Sequence, residues 1–157
     1  MDESRPLDFP SIKQIPAAIA LACALVCAGS AGFSQTGAIM IAIDKMTIGS
    51  APGGFAFART GQGGPGLWTV ADDATATGGR AIEQTSTERT DYRFPLAIYQ
   101  AVSPGNVDLT VRFKPIGGEV DQAGGIAVRL ADADNYYVVR ANALEDNVRF
   151  YRVVKGA

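Results

Sequence analysis

The sequence predicts an all-β protein, and three observations carry that prediction. Apolar residues recur at every second position in short stretches, the period of a strand with one buried face. β-Branched and aromatic side chains dominate those stretches, which are separated by Gly, Asp and Asn turns at short spacing. No amphipathic helical stretch follows residue 31. Many short strands with Gly-rich connections argue for an antiparallel sandwich of two packed sheets.

Residues 1–31 read as a secretory signal peptide. Arg5 and Lys13 precede an uncharged run, "AAIALACALVCA", and the small residues of "GSAG" follow it. That order is a basic region, a short apolar region and a small-residue cleavage site. A cut after Ser30 or after Ala31 suits the small side chains there. Asp2, Glu3 and Asp8 oppose the usual charge bias, which keeps an uncleaved anchor open as the alternative. The run is short of the roughly 20 apolar residues that a spanning helix needs. The expectation is export to the bacterial periplasm or exterior, periplasmic or secreted, with no stable membrane span after signal cleavage.

Residues 32–54 read as a linker and a first strand, with the apolar run of "GAIMIAIDKM" (Gly37–Met46) as that strand. "GSAPGGF" and "RTGQGGPG" read as turn-rich connections. "LWTVADD" (Leu67–Asp73) alternates with Trp68 and Val70 on one side, and "AIEQTS" (Ala81–Ser86) follows a Gly-Gly turn. "DYRFPLAIYQ" puts Phe94, Leu96 and Ile98 on one phase, and Pro95 marks an edge or a strand start. The sharpest signal is "VDLTVRFKP". There Val107, Leu109, Val111 and Phe113 alternate with Asp108, Thr110, Arg112 and Lys114. "GIAVRLA", "NYYVVRAN" and "NVRFYRVV" complete the strands, the last two joined by the hairpin connection "ALEDN".

Composition excludes much chemistry. The chain has 157 residues, 47% of them hydrophobic, enough for one domain with a core. Its formal charge of −2 gives no reason to expect nucleic acid as a partner. Histidine is absent, so no Ser-His-Asp triad, Cys-His pair or His-ligated zinc can form within the chain. The two cysteines, Cys23 and Cys27, lie in the leader, which leaves the exported part without a thiol. No cofactor or metal is expected.

Three stretches together resemble exported bacterial domains of the concanavalin A-like lectin/glucanase superfamily. They are "GQGGPGLWTVADDATATGGRAIEQTS", "TDYRFPLAIY" and "VDLTVRFKPIGGEVDQAGGIAVRLADADNYYVVRANALEDNVRFYRVV". The nearest look is the 3-keto-disaccharide hydrolase-like and laminin-G-like group. The most specific pieces are "DADNYYVVRANALEDNVRFY" and the Gly-x-Trp strand at Gly66–Trp68, and the likeness runs over residues 55–157. It implies a jelly roll of two antiparallel sheets, one of them often concave and able to hold a glycan. Members commonly continue with further strands, so the stop at "VVKGA" implies a sandwich incomplete at its C-terminus.

Candidate ligand contacts are arginines and tyrosines on alternate strand positions. With the apolar neighbours facing inward, Arg112, Arg129, Arg140 and Arg149 face outward, together with Tyr136 and Tyr151. Such a face suits sugar hydroxyls, carboxylated sugars or sulfates, and it equally suits an ordinary wetted sheet surface. The expected partner is a glycan or small saccharide. Catalytic residues are not legible. The Glu-x-Asp-x-x-Glu strand of the related glycoside hydrolase family 16 glucanases has no counterpart among Glu83, Glu88, Glu119 and Glu145. The reading is therefore an exported module that binds carbohydrate on one sheet face. A 3-keto-glycoside hydrolase-like enzyme using carboxylates and a ligand-free structural domain are the alternatives. "DADN" (Asp132–Asn135) reads as a tight turn rather than a calcium loop, and "GQGGPG" lacks the Lys-Ser/Thr of a phosphate loop. Trp68 reads as a core or sheet-edge residue rather than a sugar platform.

Overall fold

The computed structural model describes residues 37–157, and the expected leader over 1–31 lies outside them. The described part is all-β, with antiparallel pairing throughout. In chain order the strands are β1 (Phe55–Gly61), β2 (Trp68–Asp72), β3 (Arg80–Gln84), β4 (Arg93–Tyr99), β5 (Ala123–Asp132), β6 (Asn135–Asn142) and β7 (Asn147–Val153). Among the described residues they form three sheets: β1 with β4, β2 with β3, and β5-β6-β7 with β6 central.

The expected strand at Gly37–Met46 is not one. Residues Ile43–Lys45 form a 3-10 turn closed by local bonds from Lys45 N to Ala42 O and from Met46 N to Ile43 O. Arg80 then donates to the carbonyls of Asp44 (2.9 Å) and Met46 (2.6 Å), which satisfies acceptors a ladder would have used. β1 is the opposite case, a strand in what reads as a connection. It pairs with all of β4, from Phe55 opposite Tyr99 to Gly61 opposite Arg93. Gly61 ends it at φ +79°, where a Cβ would collide with the Tyr92 carbonyl that accepts from Gln62 N (2.8 Å). Pro95 sits on β4, which among the described residues pairs only with β1, so its missing N–H breaks no second ladder there.

Val70 shows how burial arises here. It opposes Ile82 across β2–β3, and its other edge is closed by backbone bonds to Ser50 O (2.9 Å) and from Gly49 N (2.8 Å). The result is a side chain only 1% exposed. The sheets touch through a few side chains. Phe57 on β1 stacks near-parallel on Trp68 of β2 at 6.4 Å, and Thr60 on β1 meets Tyr136 on β6 at 2.8 Å between oxygens.

The segment Val107–Lys114 is a correction. Its alternation is that of a strand, yet it carries no ladder and runs as an extended strap. Its polar phase is tied to the turn after β2. Lys114 Nζ lies 2.5 Å from Asp73 Oδ2 and 2.9 Å from Thr75 Oγ1, and Arg112 donates to Thr77 Oγ1 at 3.4 Å. Its apolar phase faces β5–β7. Phe113 lies against Gly124, and Val107 and Leu109 share a groove with Ile126, Val128, Val139 and Phe150. The side chains expected in the core are about half exposed, Leu109 at 48%, Val111 at 50% and Phe113 at 47%. The alternation thus sets the direction of the side chains, but backbone pairing and cover do not follow from it.

The hairpin elements agree with the sequence. Asp132 opposes Asn135, and its carboxylate accepts from Asp134 N and Asn135 Nδ2, both at 2.8 Å, so "DADN" is a turn. β5 bulges between Val128 and Asp132, with Arg129 at φ +51°. A bulge on an edge strand twists it away from further pairing.

Candidate polar site on the β6–β7 hairpin

The β6–β7 register divides this sheet into two faces. Tyr136, Val138, Arg140 and Asn142 alternate with Tyr137, Val139 and Ala141. Arg140 opposes Arg149, Val138 opposes Tyr151, and Asn142 opposes Asn147. The turn is fixed by Asn142, 3% exposed, whose Oδ1 accepts from Leu144 N at 3.0 Å, and by Asp146, which takes φ +50°. Asn and Asp are the residues that tolerate these roles. Ala143 N donates to Gln122 O (3.0 Å) and so brings Asp121 to the same end of the sheet.

At that end the side chains gather around one guanidinium. Arg140 NH2 donates to Glu145 Oε2 at 2.8 Å, and its NH1 stands 3.9 Å from Asp121 Oδ2. Asn147 Nδ2 donates to Glu145 Oε2 at 3.0 Å. The guanidinium also lies over the Tyr151 ring, 5.9 Å from its centroid, in cation–π geometry. Arg140 is 19% exposed as a side chain, against 46% for Glu145. Among the described residues, three shielded polar atoms in this cluster have no hydrogen-bond partner: Asp121 Oδ1, Arg140 Nε and Asn147 Oδ1. Such atoms carry a desolvation cost until something pairs with them.

The Glu145 carboxyl is held below the usual carboxylate range, chiefly by the Asn147 amide, then by the charges of Arg140 and Arg149, with burial opposing. It is ionised at neutral pH, the wrong direction for a general acid. Glu88 is likewise lowered, first by Thr90 and then by the Gly64 N–H. It closes the "GQGGPG" loop together with Arg93, which donates to the carbonyls of Gly64 (2.8 Å) and Pro65 (3.0 Å). That loop is a locked turn. Among the described residues, no group of three or more His, Cys, Asp or Glu is placed to hold a metal ion.

Of the six sequence candidates, three share this end of the hairpin: Arg140, Arg149 and Tyr151. Tyr136 is on the same strand face but is 5% exposed, with its hydroxyl committed to Thr60, so it is corrected from a surface contact to a packing residue. Arg112 is on the strap beside Thr77, and Arg129 is at the β5 bulge, so neither belongs to the hairpin cluster. Asp121, Glu145 and Asn147 are members that strand alternation does not select, because they sit at strand ends and in the turn. The sequence signal for Glu145 and Asn147 is polar density in "ALEDN" beside an arginine strand, whereas Asp121 lies in the loop "IGGEVDQAGG" and has none. Trp68 packs on Phe57, and its Nε1 has no hydrogen-bond partner among the described residues.

No family model matches the chain, and neither a curated protein nor a solved structure matches it. Among the described residues no helix is long and apolar enough to cross a membrane.

Proposed function

We propose that this chain is an exported module of the jelly-roll, concanavalin A-like kind that binds a saccharide at the end of its β6–β7 hairpin. The resemblance read from the sequence supports the fold name, and the leader-like pattern of residues 1–31 supports export. The observation that carries the binding reading is the trio of unpartnered polar atoms around Arg140. Asp121 Oδ1 and Asn147 Oδ1 accept, and Arg140 Nε donates. A sugar hydroxyl both donates and accepts, so adjacent hydroxyls of one ring answer that mixed set.

The test is a glycan array probed with the purified chain, followed by titration of the best ligand. Arg140→Ala is expected to weaken binding about tenfold, the loss of one charged hydrogen-bonding group at about 1.4 kcal/mol per decade. Unchanged affinity in a folded Arg140→Ala protein, or silence across the array, would overturn the reading.

A further inference from the structure

The opposite face of the same sheet raises a separate question. It carries Ile126 and Val128 on β5, Tyr137 and Val139 on β6, and Val148 and Phe150 on β7, in lateral register. The apolar phase of the strap borders it and adds Val107, Leu109 and Phe113. Alternation marks this as the core side, yet Val139 is 45% exposed, Phe150 62% and Val148 69%. No charged side chain lies in its middle.

We propose that this face is the dimer interface of the protein, covered by the same face of a second copy. Summed from the fractional exposures, Val139, Val148, Phe150, Val107, Leu109 and Phe113 present about 600 Å² of surface, at the top of the roughly 300–600 Å² of the largest patch on a typical monomer and about three quarters of the roughly 800 Å² per partner of a standard interface. A charge-free apolar centre is the composition of homodimer interfaces.

Arg129 and Arg152 border the face at the β5–β6 end, where the turn also carries Asp132 and Asp134, so the rim there is mixed in charge. A two-fold axis lying in the interface and across the strands sets the apolar centre of one copy on that of the other. Two sheets stacked this way make the second layer that a single sheet needs to bury one face. The Arg140 cluster, on the other face, stays open in the dimer, so this inference stands apart from the saccharide reading.

Sedimentation of the full chain, combined with hydroxyl-radical footprinting, tests it. The wild type is expected to dimerise below about 100 µM, an ordinary affinity for such an area. Leu109 and Phe150 should become protected as concentration rises. Val148→Glu, at a site exposed enough to spare the fold, should weaken the dimer more than tenfold. Gln100→Glu, at an exposed position after β4, should leave it intact. If Val148→Glu fails to fold by circular dichroism, the wild-type footprint alone decides. A wild type that is monomeric at about 100 µM overturns the proposal, whether Phe150 labels freely or is covered by the chain's own residues. A dimer indifferent to Val148→Glu overturns it too.

Discussion

Thr60 decides more than its size suggests. Its hydroxyl is 1% exposed at the residue level and donates to the carbonyl of Ala133 in the β5–β6 turn. Having one proton, it must then accept from the Tyr136 hydroxyl, 2.8 Å away. This short chain of bonds fastens β1 to the third sheet. Tyr136→Phe removes a donor and leaves Thr60 still bonded to Ala133, so it should cost about 1 kcal/mol. Thr60→Val orphans both the Ala133 carbonyl and the Tyr136 hydroxyl, so it should cost more, about 2–3 kcal/mol. Urea unfolding of the two variants would check the order, and a larger loss for Tyr136→Phe would contradict it. This residue pair was not legible in the sequence. Strand alternation places Tyr136 correctly on the face of Arg140, but it does not say which end of that face another sheet covers. Nothing local to Thr60 or Tyr136 encodes a partner some seventy residues away.

At the scale of elements, the hairpins were readable because two signals agree in them. In β5-β6-β7, period-two alternation coincides with turn residues, Asp132 to Asn135 and Asn142 to Asp146, that have a local mechanism. β1 was not readable because "FAFARTG" lies between two glycine-rich stretches and its pairing partner, β4, is distant in sequence. The strap is the converse, with full alternation and no ladder. It is held to the rest of the chain by polar contacts, above all Lys114 with Asp73. The Lys114 ammonium, then Thr75, holds the Asp73 carboxyl well below its ordinary value of 3.8. A lowered folded-state value means that the stabilisation is fully present above the ordinary value and is lost as pH falls below it. The strap should therefore stay in place from neutral pH down to about pH 4 and loosen progressively as pH falls further. Pepsin cleavage at Leu109 or Phe113 reports this. Asp73→Asn should be cut several-fold faster than wild type near pH 4, and the ratio should shrink towards one in stronger acid. Taking the ratio cancels the protease's own pH dependence. A ratio of one at every pH would show that the pair does not hold the strap.

For the whole molecule, the class follows from side-chain patterning, whereas the layering does not. Period two says that Val139, Val148 and Phe150 share a face, and it is silent on what lies over that face. Sheet-on-sheet cover is set by connections and partners that no strand records in its own residues. The consequence is a thin interior, in which Val70 and Tyr136 are the buried hydrophobic side chains among the described residues. A chain of this length with so little fully buried surface has a small margin from its own core. If a second copy covers the apolar face, association and folding are linked, and stability depends on concentration. Where both concentrations lie above the dissociation constant, a hundredfold increase in protein concentration then adds about 2.7 kcal/mol per mole of dimer. Against the unfolding entropy of two chains of this size, that raises the melting temperature by about 5 °C. Scanning calorimetry at about 2 µM and about 200 µM measures it directly, with Val148→Glu as the flat reference. A wild-type melting temperature that stays constant across that range means that each copy melts by itself, and the exposed sheet face then contributes nothing to stability through self-association.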